Sequence, residues 1–356
     1  MSIFFQPAVF YPAGSSPYGI TAADFNGDGN LDLAITDIGN EEIAVLLGNG
    51  DGTFQAASFF GVGINPTSIT AADFNDDGKI DLAVADSNSS DIAILLGNGD
   101  GTFLPATAVT VGSNPLSIVS ADFNGDHEMD LAVTDVGLGN VNVLFGNGDG
   151  TFLSPVPYAV GNSPYGIAAA DFTGDGIVDL VAAVGGDNNV AVLINNGDGT
   201  FQAATHYSVG TGPMEIAVAD FNGDGKRDLA VSNFDSMNVA ILLGNGDGTF
   251  QAASFILIGS YLEGIIAADF DKNGTFDLAV ADNGSNNVAI LSGNGDGTFG
   301  PEKFYAVGSY AAGLVTGNFN NDGRTDLAVT NTYSNNVAIL LNNTNSPLRG
   351  VSFLDR

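Results

Sequence analysis

Short apolar runs, separated by clusters of Gly, Asn and Asp, make up most of the chain. In the stretch from Tyr18 to Phe60, Tyr18–Asp24 is small and apolar, and Asp32–Thr36 follows an acidic loop. Ile43–Leu47 follows a polar turn at Gly39–Glu42, and Phe54–Phe60 follows Asn49, Gly50, Asp51 and Gly52. Runs of this length bounded by turn formers predict four strands. Asn-Gly and Asp-Gly supply the positive φ that tight hairpins demand. No segment sustains helical periodicity.

The pattern then repeats. Asp-Phe recurs at Asp24, Asp73, Asp122, Asp171, Asp220 and Asp269, with Asn318 as a seventh variant, at steps of 49 residues. A second marker, NGDGTF, ends at Phe54, Phe103, Phe152, Phe201, Phe250 and Phe299, again 49 apart. Four antiparallel strands in each of seven such repeats is the pattern of a propeller blade. The expected fold is therefore all-β, a seven-bladed β-propeller forming one domain over residues 1–356. A parallel β-helix has much shorter repeats, and an array of separate small domains would bury too little core without disulfides. The ends predict how the ring closes. Phe5–Phe10 aligns with Phe54–Phe59 and reads as a fourth strand with no blade before it. The last repeat supplies three strands between Gly313 and Leu341, and its NGDGTF position degenerates at Asn343–Leu348. The N-terminal strand is thus expected to complete the seventh blade and remove an exposed edge. Val351–Leu354 competes for that place.

Charge narrows the function classes. The chain carries 41 acidic and 8 basic residues, a formal net charge of −33. Nucleic-acid binding needs Lys and Arg to displace phosphate counterions, so it is excluded. So much negative charge repels itself in a compact state unless cations neutralise it. Disorder does not fit, because 24 Phe and 9 Tyr provide the apolar material that disordered chains lack. No Cys is present, which removes disulfides, thiolate metal sites and thiol catalysis. The opening MSIFFQPAVFYPAGSSPYG lacks a basic region and is broken by Pro and Gly, so it does not read as a signal peptide. No apolar run is long enough to span a bilayer, and membrane insertion is not expected.

The acids concentrate in the loop between the first and second strands of each repeat, D-x-N-x-D-G-x-x-D. Its polar positions are Asp24, Asn26, Asp28 and Asp32 in the first repeat, and Asp73, Asn75, Asp77 and Asp81 in the second. They are Asp122, Asn124, Asp126 and Asp130 in the third, and Asp171, Thr173, Asp175 and Asp179 in the fourth. The fifth has Asp220, Asn222, Asp224 and Asp228, the sixth Asp269, Asp271, Asn273 and Asp277, and the seventh Asn318, Asn320, Asp322 and Asp326. Calcium takes 6–8 oxygen ligands in flexible geometry, and alternate residues of a tight loop aim side-chain oxygens inward. The seventh position can add a backbone carbonyl, from Asn30, Lys79, Glu128, Ile177, Lys226, Thr275 or Arg324. The sixth position, Gly29 in the first loop, permits the sharp turn.

Asn, Asp and Gly are also plain turn formers, which explains a single copy but not seven. Twenty of the 41 acids lie in these loops, where uncompensated carboxylates repel one another. One Ca²⁺ per blade, up to seven, is the expected cofactor, and their fourteen positive charges take −33 to −19. Magnesium prefers to keep its waters, and zinc or copper want Cys or His, of which the chain has 0 and 2. Sites one, two and five carry the full pattern. His127 replaces the turn glycine in site three, and site seven has only two carboxylates. The Asp of each NGDG turn reads as a hairpin residue rather than a ligand.

The D-x-N-x-D-G-x-x-D loop, the strand after it and NGDGTF together resemble FG-GAP/VCBS-type repeats, found in bacterial surface proteins and in the integrin α-subunit propeller. The resemblance covers nearly the whole chain. It implies a seven-bladed propeller whose loops hold calcium structurally, with Asn318, Thr173 and His127 departing from the pattern. Integrin members mediate adhesion and some fungal members are lectins, so the resemblance implies binding without naming what is bound.

Alternation of the strands puts the calcium loops and NGDG turns on one face. The other face is expected to carry Tyr18, Leu116, Tyr165, Met214, Tyr261 and Tyr310, with Ile38, Leu138, Phe234, Met237 and Tyr333. Such residues either mark a ligand site or pack between blades. The leading expectation is an extracellular or cell-surface binding or adhesion module, monomeric, with structural calcium and a glycan or protein ligand on the opposite face. The location follows from loops suited to millimolar calcium. No catalytic residue and no further cofactor is expected. The alternatives are a propeller enzyme acting on polysaccharide, as lyase or hydrolase, and a purely structural spacer.

Overall fold

The computed structural model describes residues 3–344. Among them, 28 strands form seven four-stranded antiparallel sheets, the blades of a β-propeller. The first blade is β2 (Pro17–Ala23), β3 (Asp32–Asp37), β4 (Glu42–Leu46) and β5 (Ser58–Gly61), paired in that order from the inside out. β3 and β4 are buried along almost their whole length because sheets cover both of their faces, whereas β5 is the solvated outer strand. The only helical turns among the described residues are short 3₁₀ turns at Asn283–Ser285 and Thr332–Ser334. Among the described residues, no helix is long and apolar enough to cross a membrane.

The ring closes as the repeat pattern predicts. β1 (Val9–Pro12) pairs antiparallel with β28 (Asn336–Leu340), followed by β27 (Asp326–Asn331) and β26 (Ala311–Gly317). Phe5 bridges Asn342 just as Phe54 bridges Gly48. The competing segment Val351–Leu354 lies outside the described residues, as does most of the degenerate NGDGTF position.

The fourth strand differs from expectation. It starts at Ser58 rather than Phe54, which makes a single bridge to Gly48. The cause is the ring of Phe54, which turns into the interface and meets Phe319 and Tyr11 edge to face at 5.6 Å each. The same pair recurs between the other blades. The Asp-Phe ring of one blade meets the NGDGTF ring of the next at 5.7 Å in Phe25–Phe103 and Phe74–Phe152, and at 5.5 Å in Phe172–Phe250 and Phe221–Phe299. Phe5 takes this role against Phe270, at 5.4 Å, where the seventh repeat lacks NGDGTF. The core accordingly lies between blades. One cluster, for example, joins Phe25, Ile43 and Val45 of the first blade to Leu82, Val84 and Phe103 of the second.

The inner strands line the axis. Each has a register irregularity near its start, between Pro17 and Ile20 in β2. Thr36 accepts the amide of Gly19 there, so the bulged backbone keeps a partner. This irregularity brings the second and third residues of each inner strand onto the axial channel.

Candidate metal-binding loops

Each acidic loop leaves an inner strand and enters the buried second strand. Two positions adopt left-handed backbone. The sixth is glycine in six loops, such as Gly29 at φ 84°, and His127 at φ 73° in the third. The fourth is also left-handed, a constraint that the Gly-at-six pattern did not reveal. Gly27, Gly125, Gly174 and Gly223 hold it without strain, and Asp76, Lys272 and Asn321 adopt it at φ 56–57°.

The first-position side chain organises the loop. Asp24 Oδ2 accepts the amide of Gly29 at 2.8 Å, and its Oδ1 accepts those of Gly27 and Asp28. Asp73, Asp122, Asp171, Asp220 and Asp269 repeat the bond to the sixth-position amide at 2.7–2.9 Å, and Asn318 makes it at 3.2 Å. The third position accepts the fifth-position amide through Asn26, Asn75, Asn124, Asn222, Asp271 and Asn320. Thr173 departs from this and donates its hydroxyl back to Asp171. The fifth position accepts the seventh-position amide in every loop, from Asp28 to Asp322. In the sixth loop the Thr275 hydroxyl also donates to Asn273, and in three loops the seventh-position side chain forms an ion pair with the fifth. These are Lys79 with Asp77 at 3.2 Å, Lys226 with Asp224 at 3.7 Å, and Arg324 with Asp322 at 3.1 Å.

The ninth-position aspartates form the floor. Asp32 Oδ2 accepts the amide of Phe25 at 2.9 Å, and its Oδ1 accepts that of Gly48 at 2.7 Å. Asp81, Asp130, Asp179, Asp228, Asp277 and Asp326 make the same two bonds. All seven are essentially inaccessible to solvent. Burial pushes Asp32, Asp130, Asp277 and Asp326 up to about 6, against the opposing pull of those amides, and the acids above add to the rise. Asp81, Asp179 and Asp228 shift the same way for the same reasons.

These bonds leave the donor set suited to a hard cation. A carboxylate oxygen has two lone pairs, so one that takes an amide keeps another. In the sixth loop, Asp269, Asp271 and Asp277 each bring an oxygen within 4.8 Å of the others. This loop has Asp at the third position, where the other loops have Asn or Thr. Oxygen-only donors at that separation match calcium. A bound ion would supply the charge compensation that the buried ninth-position carboxylates otherwise gain by holding a proton.

The NGDG turns lie on the same face. Asp51 accepts the amide and hydroxyl of Thr53, so its carboxylate serves its own turn, and the equivalent turns do the same. The last glycine of the turn donates across the interface, Gly101 to the Phe25 carbonyl and Gly150 to that of Phe74, both at the start of an acidic loop. Each such loop is thereby clamped by the following blade.

On the opposite face, Tyr18, Leu116, Tyr165 and Met214 stand within the inner strands and line the axial channel, a correction to the expectation that they sit on loops. The bulge at each strand start turns them inward. Tyr261 and Tyr310 do lie on loops. Tyr261 stacks at 5.0 Å on Phe234 of the preceding blade, and Tyr310 at 4.5 Å on Tyr333. Leu138 and Tyr333 remain 60% and 71% exposed, too open for packing alone to explain. Sequence reasoning missed the buried acids Asp37, Asp135 and Asp282 that end second strands. They accept amides of the incoming loop at Ser15, Ser113 and Ser260. Recurrence of Asp or Asn at that step of the repeat was the available signal.

Comparison with known proteins agrees with this architecture. The chain is similar to a streptogramin B lyase structure, at 16% identity and TM-score 0.66 over 96% of this chain and 98% of that one. It is similar to BBS1N in its complex with ARL6DN, at 18% identity and TM-score 0.67 over 95% and 96%. A lectin of Agrocybe aegerita that recognises non-reducing terminal N-acetylglucosamine matches at 21% identity and TM-score 0.57 over 89% and 86%. At these identities the likeness is one of fold. No curated protein matches the chain in sequence. The model of the FG-GAP-like repeat matches residues 24–84, 73–133, 122–182, 171–231, 220–280 and 269–329, each pair of neighbouring repeats in turn. These matches run without a gap over residues 24–329, and the chain belongs to the FG-GAP-like repeat family.

Proposed function

We propose that this protein is a calcium-stabilised, extracellular, monomeric binding module that takes a glycan or protein ligand on the face opposite its acidic loops. The convergence of the Asp269, Asp271 and Asp277 carboxylates within 4.8 Å, which among the described residues belongs to the sixth loop alone, carries the calcium part of the reading, and the other loops repeat its sequence pattern. Calcium acts here as a brace. It joins the start of the acidic loop to its floor, and the neighbouring turn holds that loop in place. The exposed side chains Leu138, Tyr261 and Tyr333 support the placement of the ligand. The partners of two similar folds, ARL6DN and non-reducing terminal N-acetylglucosamine, fit a binding role. Catalysis is not part of the reading. His127 and His206 are exposed, the first in a loop and the second on an outer strand.

Calorimetric titration of the metal-stripped protein with calcium tests the metal, with several ions bound per chain as the expected result. Absence of a binding isotherm at millimolar calcium would refute it. A glycan array probed with and without calcium tests the ligand.

A further inference from the structure

The axial channel breaks the symmetry of the repeat. The third residue of each inner strand faces the axis and is Gly or Ser in six blades. The crowding there explains this, since a Cβ on Gly19 would lie 2.5 Å from the Thr67 carbonyl. The fifth blade has Glu215 at this place. Its carboxylate lies over the backbone of Gly166, where a Cβ would come within 2.6 Å of Oε2. Among the described residues no other side chain donates to it, and its partner is the amide of Ile216. Glu263 stands beside it in the next blade, 4% exposed, with both oxygens occupied. Tyr18 donates to Oε1 at 2.6 Å and Asn283 to Oε2 at 2.7 Å.

These two acids face a cavity of about 180 Å³, which adjoins a mouth of about 420 Å³ on the face opposite the acidic loops. No Lys, Arg or His lines either space. Tyr165, Met214, Phe234 and Tyr310 wall the mouth, with Asp235 at its edge. A half-buried negative charge with no positive partner among the described residues is a costly arrangement unless something else supplies the charge. Burial, with the charge of Glu263 adding to it, pushes Glu215 up to about 7.

We infer that this channel is a binding site for a small organic ammonium ion, whose nitrogen meets Glu215 and whose body lies against Tyr165, Phe234, Tyr310 and Met214. Aromatic faces attract such cations, and a thioether packs against their carbon frame. An inorganic ion fits less well. Two carboxylates, Glu215 and Glu263, face the inner cavity, and they supply fewer oxygens than the six to eight that calcium requires. The inference deepens the reading that this face takes a ligand, but it does not depend on the acidic loops, none of which contains Glu215.

Titration calorimetry with benzylammonium and with benzyl alcohol, its neutral analogue, tests the site in calcium-containing buffer near pH 8. The wild type is expected to prefer the cation by at least roughly tenfold, as for a desolvated charge pair. Glu215→Gln, close in volume, is expected to abolish that preference while circular dichroism stays unchanged. Nα-acetyl-lysine methylamide, run alongside, shows whether the cation can arrive on a lysine side chain or only on a free amine. Equal affinity for the two benzyl compounds, no binding of either, or a preference that survives Glu215→Gln overturns the inference. If the variant does not fold, the wild-type comparison decides alone. A negative result here alongside calcium binding and a positive glycan array leaves the proposed function standing.

Discussion

Asp91 occupies a place where five of the other blades have Asn. It lies directly across from Asp86 in the ladder of the second blade. The Oδ1 atoms of both are buried without a hydrogen-bond partner. In the fifth blade, Asn233 donates to Asn238 at the same place, so no two carboxylates face each other, although Asn233 Oδ1 is left without a partner there. Burial pushes Asp86 up to about 7, and the charge of Asp91 adds to it. A carboxyl whose folded value lies above its unfolded one stabilises the fold when protonated, and that contribution is lost as pH rises from about 4 to 7. Asp91→Asn supplies a donor and removes a charge. It should raise stability by about 1 kcal/mol in urea titrations near pH 7.5, and by less near pH 4.5. A loss at pH 7.5, or an equal gain at both, would count against this pairing. His127 is a second local fault, a side chain held at φ 73° where the other six loops use glycine. His127→Gly should stabilise the protein by about 1 kcal/mol, measured the same way, because it relieves left-handed strain.

At the scale of single elements, the N-terminal strand matters most. Ile3 and Phe5 are each 2% exposed and pack into the interface between the sixth and seventh blades. Phe5→Ala should cost about 3–5 kcal/mol, read from denaturant unfolding, because it leaves a cavity against Phe270 and Tyr305. Deleting residues 3–12 exposes the edge of β28, and light scattering should then show oligomers. A truncated chain that stays monomeric and melts like the full one would mean that another segment closes the ring. This closure was legible because a strict period leaves one strand without a blade. The turns were legible too, since NGDG has few other uses. Phe54 was misplaced because an aromatic residue reads alike in a strand and in an interface. The ninth-position aspartates were recognised as candidate ligands, but not as the floor that ties Phe25 to Gly48. Sequence spacing shows which side chains share a loop and not which backbone amides they meet. Glu215 escaped notice because one acid among 41 carries no pattern until the fold brings it to the axis.

For the whole molecule, charge and metal are one subject. Seven buried ninth-position carboxylates are shifted upward, four of them to about 6. Their preference for the protonated state makes the metal-stripped ring lose stability as pH rises from about 4 through 6. The exposed turn acids such as Asp51 and Asp100 shift downward through bonds to their threonines, so their effect falls below that window and does not cancel it. On the proposed function calcium binds the ionised form, so in its presence stability should instead rise with pH over the same range. Melting curves in EGTA at pH 5 and pH 7 should therefore order oppositely to curves in calcium. The account rests on cations compensating the clustered aspartates. Its most direct test is differential scanning calorimetry at pH 7.5, in millimolar calcium and again in excess EGTA. It predicts one cooperative transition in calcium, and a transition lower by at least roughly 10 °C in EGTA. Superimposable transitions would contradict it.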